Sequence, residues 1–443
     1  MSGNTTNRQN VKWVEGVRGV ASFLVVVTHL ARAFDYPLFW PADNEHASPR
    51  LLQLPILRLP FQGRIGVMMF SFLTGYVCAI KPLRQIKSGN TSGALSTLAK
   101  SAFRRPPRLL MPATIALVLA WLVTQLDGFS VVKVCDSEWL RNSSPEAKGG
   151  ILSELGRLFH EFQTSWINGT NAYDPHQWAL LPLLRGAFLI YATLFATCYM
   201  KFRARILTVF ILWAWFWCSS QWKTETFECM FLFGVLLNDI GSEIEFREYV
   251  NSRPKRRRII QSVLIVLGLF VGSYPEGNVQ WAAWSRGINH FRFIFPSDHD
   301  GPKRWSSVAW HLIALGFWLS PTLQTIFSNK LFMWLGRNSF AVYLTHGTLL
   351  RVVLVRFLYG FTTAGYSVEN ADTEEPTYHW IGRSQNWAVW MVAVPLWFGL
   401  LYVVAHLWTT YVDSWCAKCT RMLEEAMFAK EEDEKTTRPE AMV

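Results

Sequence analysis

Charge is scarce in this chain. Only 17% of its 443 residues are Asp, Glu, Lys or Arg, against 51% hydrophobic and 15% aromatic, which excludes an ordinary soluble domain and a disordered polyelectrolyte. Basic residues outnumber acidic ones, 43 to 32, but the excess is not a nucleic-acid footprint. It sits in short runs between apolar stretches: "RRPPR" at 104–108, "KFRAR" at 201–205 and "RPKRRR" at 253–258. Lys and Arg placed near span ends set membrane orientation. Cysteine is also sparse: seven, scattered, with no disulfide framework. Cys416 and Cys419 form a lone C-x-x-C without a second pair to complete a metal site, and no metal is expected. The polar first dozen residues and the lack of a small-residue cleavage site argue against a cleaved signal peptide. No internal repeat of the transporter kind is evident.

What the chain does have is long apolar runs. "MPATIALVLAWLVTQL", "IIQSVLIVLGLFVGSY" and "WAVWMVAVPLWFGLLYVVAHLW" are, at ~1.5 Å per helical residue, of a length to cross much of a ~30 Å hydrocarbon core. With the three basic runs placed in the cytoplasm, ten spans alternate without conflict: 17–34, 64–80, 108–126, 179–200, 205–218, 227–241, 259–274, 306–320, 331–350 and 387–409. The expected fold is an all-α polytopic membrane protein, one bundle of about ten helices with both termini cytoplasmic. A polar tail (1–12) precedes the transmembrane domain (13–410), and a charged tail (411–443), frayed beyond Met422, follows it. Long outer loops cover 127–178, 275–305 and 352–386, and the first carries glycosylation sequons at Asn142 and Asn168. The endoplasmic reticulum and the plasma membrane both suit this pattern.

An ionisable residue within a span is expensive, roughly 2.5–3.5 kcal/mol on insertion scales, so each is a functional candidate. In "VEGVRGVASFLVVVTHLARAF", His29 lies eleven residues after Arg18, about 16 Å along a helix and on the same broad side. His29 is either a bundle-facing histidine bonded to a carbonyl or a base. Arg18 either snorkels to headgroups or serves a ligand. "LGRNSFAVYLTH" sets Ser339, Tyr343 and His346 along one side of another span. "MMFSFLTGYVCAI" offers Thr74 and Tyr76, residues that also suit helix packing. Arg104, Arg105 and Arg108 are either positive-inside anchors or a phosphate clamp.

Together these fragments resemble the membrane-bound acyltransferase 3 family in its fungal form. The resemblance is carried by "EGVRGVASFLVVVTH", "FSFLTGY", "RRPPRLLMP", "YDPHQWALLPLLRG" and "LGRNSFAVYLTH", in the family's order from residue 13 to about 410. It implies an integral membrane enzyme that moves an acyl group, typically acetyl, from acyl-coenzyme A to an acceptor hydroxyl. His29 corresponds to the family's catalytic histidine, Arg18 to its partner arginine, and Arg105 and Arg108 to its R-x-x-R pair. Tyr76, Ser339 and Tyr343 are then candidates for orienting the donor or stabilising an oxyanion. Thr74, His176, Trp178, Arg185 and His346 are candidates for acceptor contacts or support. No bound cofactor is implied; acyl-coenzyme A is a co-substrate, and the partners are a hydroxylated metabolite, lipid or glycan and the bilayer. The pattern departs at Thr74 (usually Ser), Leu183 (Glu in the fungal pattern) and Phe340 (usually Tyr). A multi-pass transporter and a catalytically degenerate family member are the alternatives.

Overall fold

The computed structural model describes residues 3–219, 226–296, 300–369 and 376–428. Twelve helices of 14 residues or more dominate the described chain: α1 (Gly3–Phe34), α2 (Gly63–Lys87), α3 (Thr91–Gln125), α4 (Ile151–Ile167), α5 (Leu180–Thr197), α6 (Phe202–Cys218), α7 (Phe227–Gly241), α8 (Pro254–Val271), α9 (Gly301–Leu319), α10 (Lys330–Leu349), α11 (Trp387–Trp408) and α12 (Ser414–Met427). One- and two-turn helices join them, and a small antiparallel ribbon, β1 (Tyr366–Glu369) with β2 (Pro376–His379), stands beyond α10. Every predicted span overlaps a helix. Six helical stretches are long and apolar enough to cross a membrane: Lys12–Phe34, Gly63–Lys87, Thr91–Gln125, Pro175–Thr197, Lys330–Tyr359 and Trp387–Met427. Helices α6 to α9 are shorter or begin with charge.

Helix α1 is the axis of the bundle, packed on α10 along one side and on α2 along another. The first contact is close because glycines line it. A methyl on Gly19 would come within 2.6 Å of the Gly336 nitrogen, and one on Gly336 within 1.9 Å of the Glu15 carbonyl. Small residues that let backbones approach are a general device of membrane bundles. This approach brings the C-terminal halves of α1 and α10 side by side. Elsewhere Asp239 of α7 accepts two bonds from the buried Arg205 of α6, at 2.6 and 3.0 Å, and pairs with Lys87 of α2 at 3.1 Å. A buried carboxylate is thereby satisfied by two cations.

Two expectations need correction. The 127–178 region is not an open loop. It contains α4, whose Glu154 carboxylate is buried and accepts from the Lys148 backbone N–H (2.8 Å), Gln125 (2.9 Å) and Tyr173 (2.8 Å). Burial alone would raise this carboxyl; these donors and Arg157 outweigh it and hold the group at about 2. The chain after Met422 is not frayed at its start either. α12 packs on α3, and Arg104 forms a two-pronged ion pair with Glu424 at 2.5 Å, which a reading of the tail as merely mixed-charge missed. The rest of the tail, 429–443, lies outside the described residues.

Candidate active site

Three histidines distant in sequence meet at one point. His29 comes from α1, His346 from α10, and His176 from the 3-10 turn Pro175–Ala179 that leads into α5. Their ring centroids are 5.0 Å (His29–His346), 4.4 Å (His29–His176) and 4.9 Å (His176–His346) apart. Trp139 stacks on His29 at 5.7 Å.

The hydrogen bonds fix where the protons sit. His346 Nδ1 lies 3.0 Å from the Val342 carbonyl and 2.8 Å from that of Tyr343. Carbonyls only accept, so Nδ1 carries the hydrogen and Nε2 of the neutral ring holds a lone pair. That Nε2 is 2.9 Å from His29 Nδ1, which must therefore donate. His29 is left with its Nε2 lone pair, held in orientation by His346. His176 Nδ1 faces Asp174 Oδ1 at 2.9 Å and donates to it; its Nε2 is buried with no hydrogen-bond partner. The Asp174 carboxylate lies 3.7 Å from Arg351, a fully buried guanidinium that supplies its counter-charge. Arg351 sits in a π-turn (Leu350–Leu354) continuing α10 and also donates to the carbonyls of Gly347 and Ser143. Single π-turns within helices are frequent at functional sites.

Two cavities approach the cluster. One, of about 430 Å³, is lined by Arg18, Arg105, Arg108 and Arg337 against the single carboxylate of Asp413, so its field favours an anion. Its apolar wall includes Leu183 and Phe340, and Thr74 and Ser339 also line it. The other, of about 290 Å³, is lined by His29, His176 and Trp178, with Arg32 and Arg64. There Glu276 accepts two bonds from Arg32, each 2.7 Å, and stands 3.5 Å from Arg64. Val25, Val67, Ala179 and Tyr343 line both cavities and form their common wall. The Tyr343 hydroxyl donates to the His176 carbonyl, which fixes the phenol against the histidine turn.

The structure thus brings His29, His176, His346 and Tyr343 together, and places Arg18, Arg105, Arg108, Thr74 and Ser339 around the arginine-rich cavity. It leaves others out. Tyr76 is buried in the core, edge-on to Trp13 at 5.6 Å, and lines neither cavity. Arg185 is exposed and donates to the Ile167 carbonyl. Asn142 and Asn168 are exposed beside α4 and the helical turn before it. Sequence reasoning passed over Asp174, Trp139 and Arg351. Asp174 stood in a motif already singled out, two residues before His176. Arg351 is one residue past the expected end of its span, 331–350, outside the stretch in which a charge marks a functional candidate.

Residues 11–412 match the acyltransferase domain of the acyltransferase 3 type. The chain belongs to the acyltransferase 3 family. Among its curated relatives, the O-acetyltransferase PaAT-1 of Phomopsis amygdali is 26% identical over 376 residues, covering 78% of this chain and 73% of the relative. Acyltransferase clz18 of Cochliobolus lunatus is 21% identical over 396 residues, covering 76% and 82%. No solved structure matches. Family membership and the apolar helices together mark a membrane-embedded acyltransferase.

Proposed function

We propose that this protein is an integral membrane O-acyltransferase of ten spans, both termini cytoplasmic, that moves an acyl group, acetyl in the first instance, from acyl-coenzyme A to the hydroxyl of a small metabolite, lipid or glycan. The observation that carries the reading is the proton order of the histidine pair. His29 donates through Nδ1 to His346 and keeps the lone pair of Nε2 as a base, and the residue lines the smaller cavity.

In this mechanism the donor enters from the cytoplasmic mouth. Arg18, Arg105, Arg108 and Arg337 hold its phosphates, and the pantetheine arm carries the thioester along the apolar wall toward Tyr343. The acceptor occupies the smaller cavity beside Trp178. His29 Nε2 takes the hydroxyl proton as the oxygen attacks the thioester carbonyl. The C–O bond forms, the C–S bond breaks, and the proton passes from His29 to the departing thiolate. While His29 is protonated, its Nδ1–H bond to His346 Nε2 shares the positive charge. Tyr343 is the polar one of the four residues common to both cavities; its hydroxyl is committed to the His176 carbonyl, so it holds the histidine turn in place beside the reacting atoms.

The test is acyl transfer in membranes from radiolabelled acetyl-coenzyme A to an extract of hydroxylated small molecules and lipids. Wild-type protein is expected to label an extractable product, and His29→Ala to lose the label by ~10²-fold or more at equal expression. Undiminished labelling by the variant would remove His29 from the reaction.

A further inference from the structure

The three rings that order the base also converge as ligands. One nitrogen from each of His29, His176 and His346 falls within 4.8 Å of the other two. Two features show the set is built rather than accidental. His176 is 4% exposed, and among the described residues its Nε2 has no hydrogen-bond partner, a costly arrangement for a buried polar atom. Each supporting nitrogen is also held from behind: His176 Nδ1 by the Asp174 carboxylate, and His346 Nδ1 by the Val342 and Tyr343 carbonyls. A carboxylate or carbonyl behind the far ring nitrogen is what orients histidines that bind metal.

We propose that His29, His176 and His346 form a site for a divalent transition metal, zinc first, whose occupation switches the acyltransferase off. Neutral imidazoles suit zinc, and three of them leave the fourth tetrahedral position open. The ligand atoms are His346 Nε2 and His176 Nε2, which already hold lone pairs, and His29 Nδ1. Zn–N bonds of about 2.0–2.1 Å set ligand nitrogens roughly 3.3 Å apart, so the 2.9 Å separation of His29 Nδ1 and His346 Nε2 opens slightly. Binding through Nδ1 forces a tautomer change. The hydrogen leaves Nδ1 and settles on Nε2, the ring stays neutral, and no net proton is released. Nε2 is then a donor and can no longer accept a hydroxyl proton. Zinc occupancy and base catalysis exclude each other on the same ring. No local motif announces such a site, because its ligands are more than a hundred residues apart in the chain.

This proposal rests on the assignment of His29 as base only for its inhibitory half; the metal site itself stands on the geometry. The experiment uses the full chain, purified without a polyhistidine tag and stripped with chelator. Titration with cobalt(II) is expected to give one equivalent of four-coordinate ion with its visible d–d absorption, and zinc to displace it. His176→Ala and His346→Ala should abolish the band, while His160→Ala, on an exposed ring, should retain it. Asp174→Asn should weaken affinity by ~10–100-fold. X-ray absorption at the zinc edge of the wild-type chain should show imidazole scattering, a readout independent of whether the variants fold. No cobalt band, a band untouched by His176→Ala, or sulfur scattering would overturn the site. One equivalent of zinc should also lower acyl transfer more than tenfold, reversed by chelator. Metal binding with unchanged or increased transfer would overturn the switch and leave the site; a working acyltransferase that binds no metal would overturn the site and leave the enzyme.

Discussion

Gly347 leaves the space that His176 fills. A methyl on Gly347 would stand 2.3 Å from His176 Nδ1, the nitrogen that donates to Asp174, so one hydrogen atom on α10 decides whether the Pro175–Ala179 turn can press its ring into the cluster. Gly347→Ala should displace the ring without touching either cavity's arginines. The expected result is a fall of ~10²-fold in kcat with little change in KM for acyl-coenzyme A, read by steady-state kinetics. A rise in KM alone would place His176 in donor binding instead.

The arginines near residue 105 should divide in two. Arg105 and Arg108 line the 430 Å³ cavity, and Arg105→Ala or Arg108→Ala is expected to raise the KM for acyl-coenzyme A by ~10–100-fold, the value of a charge-assisted hydrogen bond. Arg104 is engaged by Glu424, so Arg104→Ala should leave that KM unchanged and expose α12 to proteolysis. Limited digestion followed by mass mapping distinguishes the two classes.

Leu183 faces the arginine-rich cavity, not the smaller one beside His29. Restoring the family carboxylate with Leu183→Glu therefore brings a negative charge among guanidiniums. Competition with the donor's phosphates should raise the KM for acyl-coenzyme A and leave the range of acceptors as it was. A changed product profile from the same acceptor pool would refute this placement.

Acid should loosen the 127–178 region first. Glu154, 1% exposed, is held at about 2 against an ordinary 4.5, so it contributes stability that is present above 4.5 and drains away as the pH falls toward 2. Protease sensitivity around α4 should rise across that window. In Glu154→Gln the sensitivity should already be high near neutrality and vary less with pH.

The helices were legible because apolar length and basic loops impose themselves locally; each of the ten predicted stretches overlaps a helix. Arg18, Arg105 and Arg108 were legible by motif and fall on one cavity. The proton order was not. It depends on which atoms of His29, His176 and His346 face carbonyls or carboxylates, and that follows from the close approach of α1 to α10 and from the turn before α5. Tyr76 illustrates the converse. Its motif was recognised, but tertiary packing turned the ring toward Trp13. Arg351 was missed because its value comes from a π-turn and from Asp174, neither of which leaves a sequence signal at Arg351 itself.

Tyr343 has one more consequence. Together with Val25, Val67 and Ala179 it forms the wall shared by the two cavities. Removing that wall joins the two hollows into one, and a thread of water running through a membrane protein discharges whatever ion gradient the membrane maintains. The phenol is therefore an insulator as well as a neighbour of the histidines. In a planar bilayer the wild-type protein should be electrically silent, and Tyr343→Ala should leak.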